Sequence, residues 1–198
     1  MSGAGISFIV LTAIAAVVAA IHQVRKASQR TKLSRIVAVT IGSLAPSDAA
    51  IRVRGTVRAV DATTVAGPYS GRPALGVVFE RWATSMGRRV QRLDRQVRHT
   101  PFIVEDDTGS IVLDLAHADF QLELHPAALA SVGPTRVFGA GIIAANQQTE
   151  QDNLEGLVIA GDRITAAGRV VRGPDGRLAL VGTAAAPLVV SDHPALLR

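Results

Sequence analysis

The stretch Pro101-Phe102-Ile103-Val104-Glu105-Asp106-Asp107-Thr108-Gly109-Ser110-Ile111-Val112-Leu113-Asp114 leaves this chain few options. Phe102, Val104, Ile111 and Leu113 alternate with more polar neighbours, a period of two that sets them on one face of two short strands. An acidic turn lies between. Asp106 or Asp107 can accept a hydrogen bond from the backbone ahead, and Gly109 can take positive φ at no steric cost. Such a hairpin must bury its apolar face, so the stretch predicts a β domain.

Other segments carry the same signal. In Ile51 to Val60, Ile51, Val53, Val57 and Ala59 face one way and Arg52, Arg54, Thr56 and Arg58 the other. Gly55 falls on the inner face, where a barrel strand bends or lets another backbone approach. Ala66 to Pro73 is turn chemistry, and Leu75 to Trp82 reads as the next strand. Arg163 to Val171 places Ile164, Ala166, Gly168 and Val170 on one face. Gly173-Pro174-Asp175-Gly176 then makes a hairpin turn into Leu178 and Leu180. Pro187 to Ser191 is a last short strand. Pro126 to Val132 predicts a short helix. Val137 to Ala145 is apolar and of ambiguous type, and Asn146 to Asn153 reads as a polar loop. The expected fold is mainly β: a small antiparallel β-barrel or sandwich-like domain with a short helix, preceded by one N-terminal transmembrane helix.

That helix is Ile6 to Ile21, an uncharged apolar run which its small flanks bring to about the 20 residues needed to cross a bilayer. No charge precedes it, as a cleaved signal peptide would want. Arg25, Lys26, Arg30, Lys32 and Arg35 follow it without an acid among them. The positive-inside rule then puts the N-terminus outside and the body in the cytoplasm, at an inner membrane. Ala15/Ala19 and Ala16/Ala20 have the spacing that lets two anchors pack as a homodimer. The expected organisation is an anchor over 1–24, a basic juxtamembrane linker over 25–49, a β domain over 50–192 and a tail over 193–198. The basic linker either meets anionic headgroups or serves only as topology signal and solvated spacer.

The chain lacks cysteine, which removes disulfides, thiol nucleophiles and Cys-ligated metal together. No serine sits in a nucleophile elbow, and no glycine-rich phosphate cradle is present. His117 and His125, with Asp119 between, have the wrong spacing for one metal site. Asp106 and Asp107 read as turn formers rather than a catalytic pair. No catalytic set, cofactor or metal site is therefore expected. The net charge is +5, and Ala83 to His99 concentrates it in Arg88, Arg89, Arg92, Arg95 and Arg98. This stretch reads as the exposed tip of a long hairpin that returns through the Pro101–Asp114 stretch. It is either an interaction surface for an acidic partner, lipid or nucleic acid, or a solvated loop. Nucleic acid fits the charge but lacks exposed aromatics for stacking.

Four pieces together resemble the GIDE domain, also called the BAM ("beside a membrane") domain, of membrane-anchored MULAN/MAPL-type ubiquitin ligases and prokaryotic relatives. They are the glycine-bearing strand Ile51 to Val57, the Pro68-Tyr69-Ser70-Gly71 turn, the hairpin with Pro101, Phe102, Asp106, Asp107 and Gly109, and Leu154-Glu155 followed by Ile159, Gly161, Asp162, Ile164 and Gly168. The resemblance covers roughly residues 50 to 192. It implies a β module held against a membrane that contacts other proteins. Ligase activity is not implied, because a RING finger needs cysteines. Ala74-Leu75 also stand where the family tends to have a cysteine. The expectation is a single-pass, non-catalytic interaction or scaffold module with the bilayer and a protein as partners. The alternatives are a subunit of an enzyme or ligase-like assembly completed by another chain, and a lipid or nucleic-acid binder acting through Arg88 to Arg98.

Overall fold

The computed structural model describes residues 34–127 and 151–193. The apolar run Ile6 to Ile21, the segment Val137 to Ala145, the helix expected after Pro126 (all but Pro126 and Ala127) and the tail beyond 193 lie outside the described residues. The chain divides into two compact units, Met1–Val37 and Ala38–Arg198. All strands described belong to the second, which takes in residues well before position 50.

In chain order the strands are β1 (Ser47–Ala59), β2 (Val65–Ala66), β3 (Pro73–Ala74), β4 (Gly76–Ser85), β5 (Arg88–His99), β6 (Phe102–Asp106) and β7 (Gly109–Asp114). They continue with β8 (Ala118–Gln121), β9 (His125–Pro126), β10 (Gln151–Val158), β11 (Arg163–Arg172), β12 (Leu178–Val181) and β13 (Leu188–Ser191). Single 3-10 turns stand at Ile41–Ser43 and Leu115–His117.

Five strands close into a barrel in the order β1-β6-β7-β12-β11, with β11 returning to β1. All of its pairs are antiparallel except β7 with β12. Renumbered within the barrel, the order is 1-2-3-5-4-1 with strands 3 and 5 parallel, a Greek-key connectivity of the kind found in OB-fold barrels. Closure removes the unpaired edges that a flat sheet of these strands would leave. β13 pairs with β11 and carries β8 beyond the barrel.

Alternation decides the interior. Val53, Val57, Phe102, Val104, Ile111, Leu113, Ile164, Ala166, Val170 and Leu180 are buried and fill it. A Cβ on Gly55 would stand 2.2 Å from the Glu105 carbonyl oxygen, so the close approach of β6 to β1 depends on glycine. Gly168 marks a change of partner. Thr165 to Ala167 pair with β13 and Arg169 to Arg172 with β12. A Cβ on Gly168 would meet the Val181 carbonyl oxygen at 2.6 Å.

β4 and β5, which lie between β1 and β6 in the chain, join the later strands β10 and β9 in a second sheet, in the order β5-β4-β10-β9. Leu75, Val78 and Val158 join the barrel core, while Ala74, Val77 and Phe79 form a smaller cluster with Val65, Tyr69, Leu157 and Ile159. β4 and β5 form a long hairpin arm whose turn holds Met86 (φ 51°) and Gly87 (φ 70°).

Three expectations are corrected. The Arg88–His99 stretch is itself the return strand, paired with β4 along its length, rather than a tip that returns through β6. Pro126 lies in a strand paired with Leu154, and Gln151 to Asn153 open β10 instead of extending a polar loop. Gly109 is not among the residues at positive φ. The β6–β7 turn is closed by Asp106 instead.

Candidate functional site

Asp106 accepts at both carboxylate oxygens. Oδ1 takes the Thr108 N–H (2.8 Å), the Thr108 hydroxyl (2.5 Å) and the Gly109 N–H (3.1 Å). Oδ2 takes the Ile41 N–H at 2.9 Å, and the Gly42 N–H donates to Thr108 Oγ1 at 2.7 Å. The turn therefore also staples the segment that leads into β1, with Ile41 buried beneath it. Burial raises the Asp106 carboxyl, but its four hydrogen bonds outweigh that and hold it below the usual aspartate range. Asp107 is an exposed loop residue. Asp106 thus builds the turn, while Asp107 beside it faces solvent.

Gly161 (φ 96°) and Asp162 form another turn that docks on β1. The Gly161 N–H donates to the Val57 carbonyl, the Val57 N–H to the Asp162 carbonyl, and Asp162 Oδ2 receives the Ile159 N–H. Pro101 is exposed and leads into β6, while Phe102 beside it is fully buried.

The five arginines of the arm lie on both faces of β5. Arg92, Arg95 and Trp82 converge on Glu80, whose side chain is only 7% exposed. Arg95 Nη1 donates to Glu80 Oε1 at 2.7 Å, Arg92 Nη1 to the same oxygen at 3.2 Å, and Trp82 Nε1 to Oε2 at 2.8 Å. Arg95 also reaches the Phe120 carbonyl at 2.7 Å, which ties the arm to β8. Burial pushes the Glu80 carboxyl up, and these donors and cations more than reverse it, so the net shift is downward. Arg89 pairs with Asp152 of β10 at 2.8 Å. On the opposite face Arg98 lies over the Phe79 ring, 5.4 Å from its centroid. Arg88 stands exposed beside the turn with no ion pair among the described residues. Four of the five arginines are thus held by groups of the arm or of its neighbouring strands.

The arm also presents apolar side chains among its exposed polar ones. Register shifts in the β4–β5 ladder fall between Arg81 and Trp82 and between Ala83 and Thr84. Opposite them Leu93 and Val90 have no direct partner, and both are exposed, as are Val97 and Met86. Bulges of this kind re-aim side chains and disrupt a free edge. β5 is the edge strand of its sheet among the described residues. Sequence alone could not assign these positions, because the bulges exist only relative to β4.

A concavity of about 390 Å³ is lined by Glu123, His125, Glu155, Asp162 and Asp192 among others. Its carboxylates mostly serve the backbone: Asp192 accepts from the Glu123 N–H and Glu155 from the Tyr69 N–H. Burial raises the Asp192 carboxyl, and the neighbouring Glu123 and Asp162 charges add to this. His117 lies in a 3-10 turn away from this lining. Among the described residues no group of three or more histidines and carboxylates could hold a metal ion. Nor, among them, is any helix long and apolar enough to cross a membrane.

The outward face of β6 and β7, which OB-fold barrels use for nucleic acid, carries Ile103, Glu105, Ser110, Val112 and Asp114. It offers two carboxylates and no aromatic ring, a poor surface for bases or phosphates. Comparison with protein-family models, curated proteins and solved structures finds no match to this chain.

Proposed function

We propose that this chain is a non-catalytic interaction module tethered at a membrane surface, and that the β4–β5 arm is the part that meets a protein partner. The observation that carries this reading is the arm itself. It is a long hairpin with an edge strand among the described residues, two bulges and exposed Val90, Leu93 and Val97, braced from within by Glu80. A rigid element with apolar side chains turned to solvent and charged groups around them has the make-up of a docking surface. The uncharged run Ile6 to Ile21 and the basic residues after it support the tether, with the domain on the cytoplasmic side of a bacterial inner membrane. The resemblance to the beside-a-membrane domain points the same way.

A photo-crosslinking side chain at position 90 or 93 tests the reading in intact membranes. A discrete adduct is expected from the arm, none from position 110 on β7, and loss of the adduct on changing Leu93→Arg in the Val90-labelled protein. No adduct from either arm position, or the same adduct from position 110, would argue that the arm is only scaffold.

A further inference from the structure

Some of the described arginines are held by carboxylates and others are not. Arg58 pairs with Glu105, Arg89 with Asp152, Arg92 and Arg95 with Glu80, and Arg169 with Asp48. Arg52 and Arg54 do not pair with any carboxylate among the described residues, although they stand side by side on the outward face of β1. Arg52 is half-buried, and its Nε is shielded from solvent with no hydrogen-bond partner. A buried donor left unmade is costly, and more so on a charged group. Burial first, and the Arg54 charge second, hold the Arg52 guanidinium below the ordinary arginine range. The fold thus keeps two like charges adjacent and leaves one of their donors unanswered.

Among the described residues the surroundings supply no carboxylate. Across the ladder, Arg52 faces Ala167 and Arg54 faces Thr165, with Val189 and Ser191 of β13 in the next row. These side chains carry no charge. On the other side of β1 the pairing with β6 begins only at Thr56, and the neighbour of Arg52 there is Ala38, whose following residue Val39 donates its N–H to the Arg52 carbonyl. Residues two apart on a strand lie about 6.6 Å apart on one face. Two guanidinium groups at that spacing can converge on one oxyanion. A planar carboxylate satisfies a single fork, whereas a tetrahedral phosphate offers oxygens to both.

We propose that Arg52 and Arg54 on the outward face of β1 form a binding site for a phosphate group. The source of that group is either a free phosphate compound or an anionic lipid headgroup. The site is separate from the arm and does not rest on the arm's proposed role.

The full chain in uncharged detergent micelles distinguishes the two sources. Its unfolding temperature is followed by fluorescence of Trp82, the sole tryptophan, with inorganic phosphate, with acetate, or with phosphatidylglycerol in the micelles, all at matched ionic strength. A rise of about 3 °C or more is expected with phosphate or with phosphatidylglycerol, and none with acetate. A response to phosphate identifies a soluble ligand, and a response to the lipid alone identifies the headgroup. The rise should vanish in Arg52→Gln/Arg54→Gln and shrink in Arg54→Lys, which keeps the charge but loses the fork. Arg88→Gln in the arm should retain it in full. If the double variant fails to fold, Arg54→Lys carries the test. The proposal is overturned if neither additive raises the wild-type temperature, if acetate acts equally, or if Arg54→Lys or the double variant responds like wild type.

Discussion

At the scale of single residues, Asp106 shows how little of a side chain's work is local. The acidic turn was legible from sequence, and so was its part in closing the β6–β7 hairpin. Its bond to the Ile41 N–H spans 65 positions and was not. Asp106→Ala should lower stability by about 2 kcal/mol, since it frees several donors at once. Chemical denaturation of the full chain in micelles measures this. The folded carboxyl is held below its unfolded value of about 3.9. The contribution is therefore present above that value and lost as pH falls through the folded one. Asp106→Asn should accordingly flatten the acid limb of the stability curve as well as lower its plateau. An unchanged acid limb would mean that another carboxylate governs it.

Among the elements, β5 was the one least visible in the sequence. Its arginines suggested a solvated loop, because a strand reads as apolar alternation and this one alternates in ion-pair partners. Glu80 lies on the strand before it and Asp152 is 63 positions away on β10. Strands with local apolar patterns, such as β1, β6, β7 and β11, were recognisable, although on the face of β1 expected to be buried Ile51 is only half-buried and Ala59 is exposed. The arm's turn holds Met86 at φ 51°, ahead of Gly87 at φ 70°. Both central residues left-handed is the signature of a type I′ turn, which favours Asn-Gly. Met86 is 96% exposed and gains no packing in return. Met86→Asn should therefore stabilise the fold by about 0.5–1 kcal/mol, read as a higher denaturation midpoint at constant slope. A loss of stability would show that the methionine is held by contacts of its own.

For the molecule as a whole, barrel closure could not be read from sequence. It depends on β1 meeting β11 and on the parallel seam between β7 and β12. Neither contact leaves a local pattern. The Glu80 cluster binds the arm to β8, and Leu75, Val78 and Val158 place the base of the arm inside the barrel core. Barrel and arm should thus unfold together. Trp82 fluorescence, which reports on the arm, and far-ultraviolet circular dichroism, which reports on all the strands, should give coincident thermal transitions. A fluorescence transition well below the other would mean that the arm opens alone.

The β1–β11 seam also sets a timetable for synthesis. Ile51 pairs with Gly168, so the first barrel strand leaves the ribosome more than a hundred residues before its partner. At roughly 5–20 residues per second this is an interval of many seconds. In that time the β4–β5 and β6–β7 hairpins can form from local contacts, while β1 has one edge unmatched. The nascent chain passes through a stage in which strand-rich segments wait for the last third of the protein. The arginines alternating along β1 keep one of its faces charged during that wait, which guards an open edge against association with other chains.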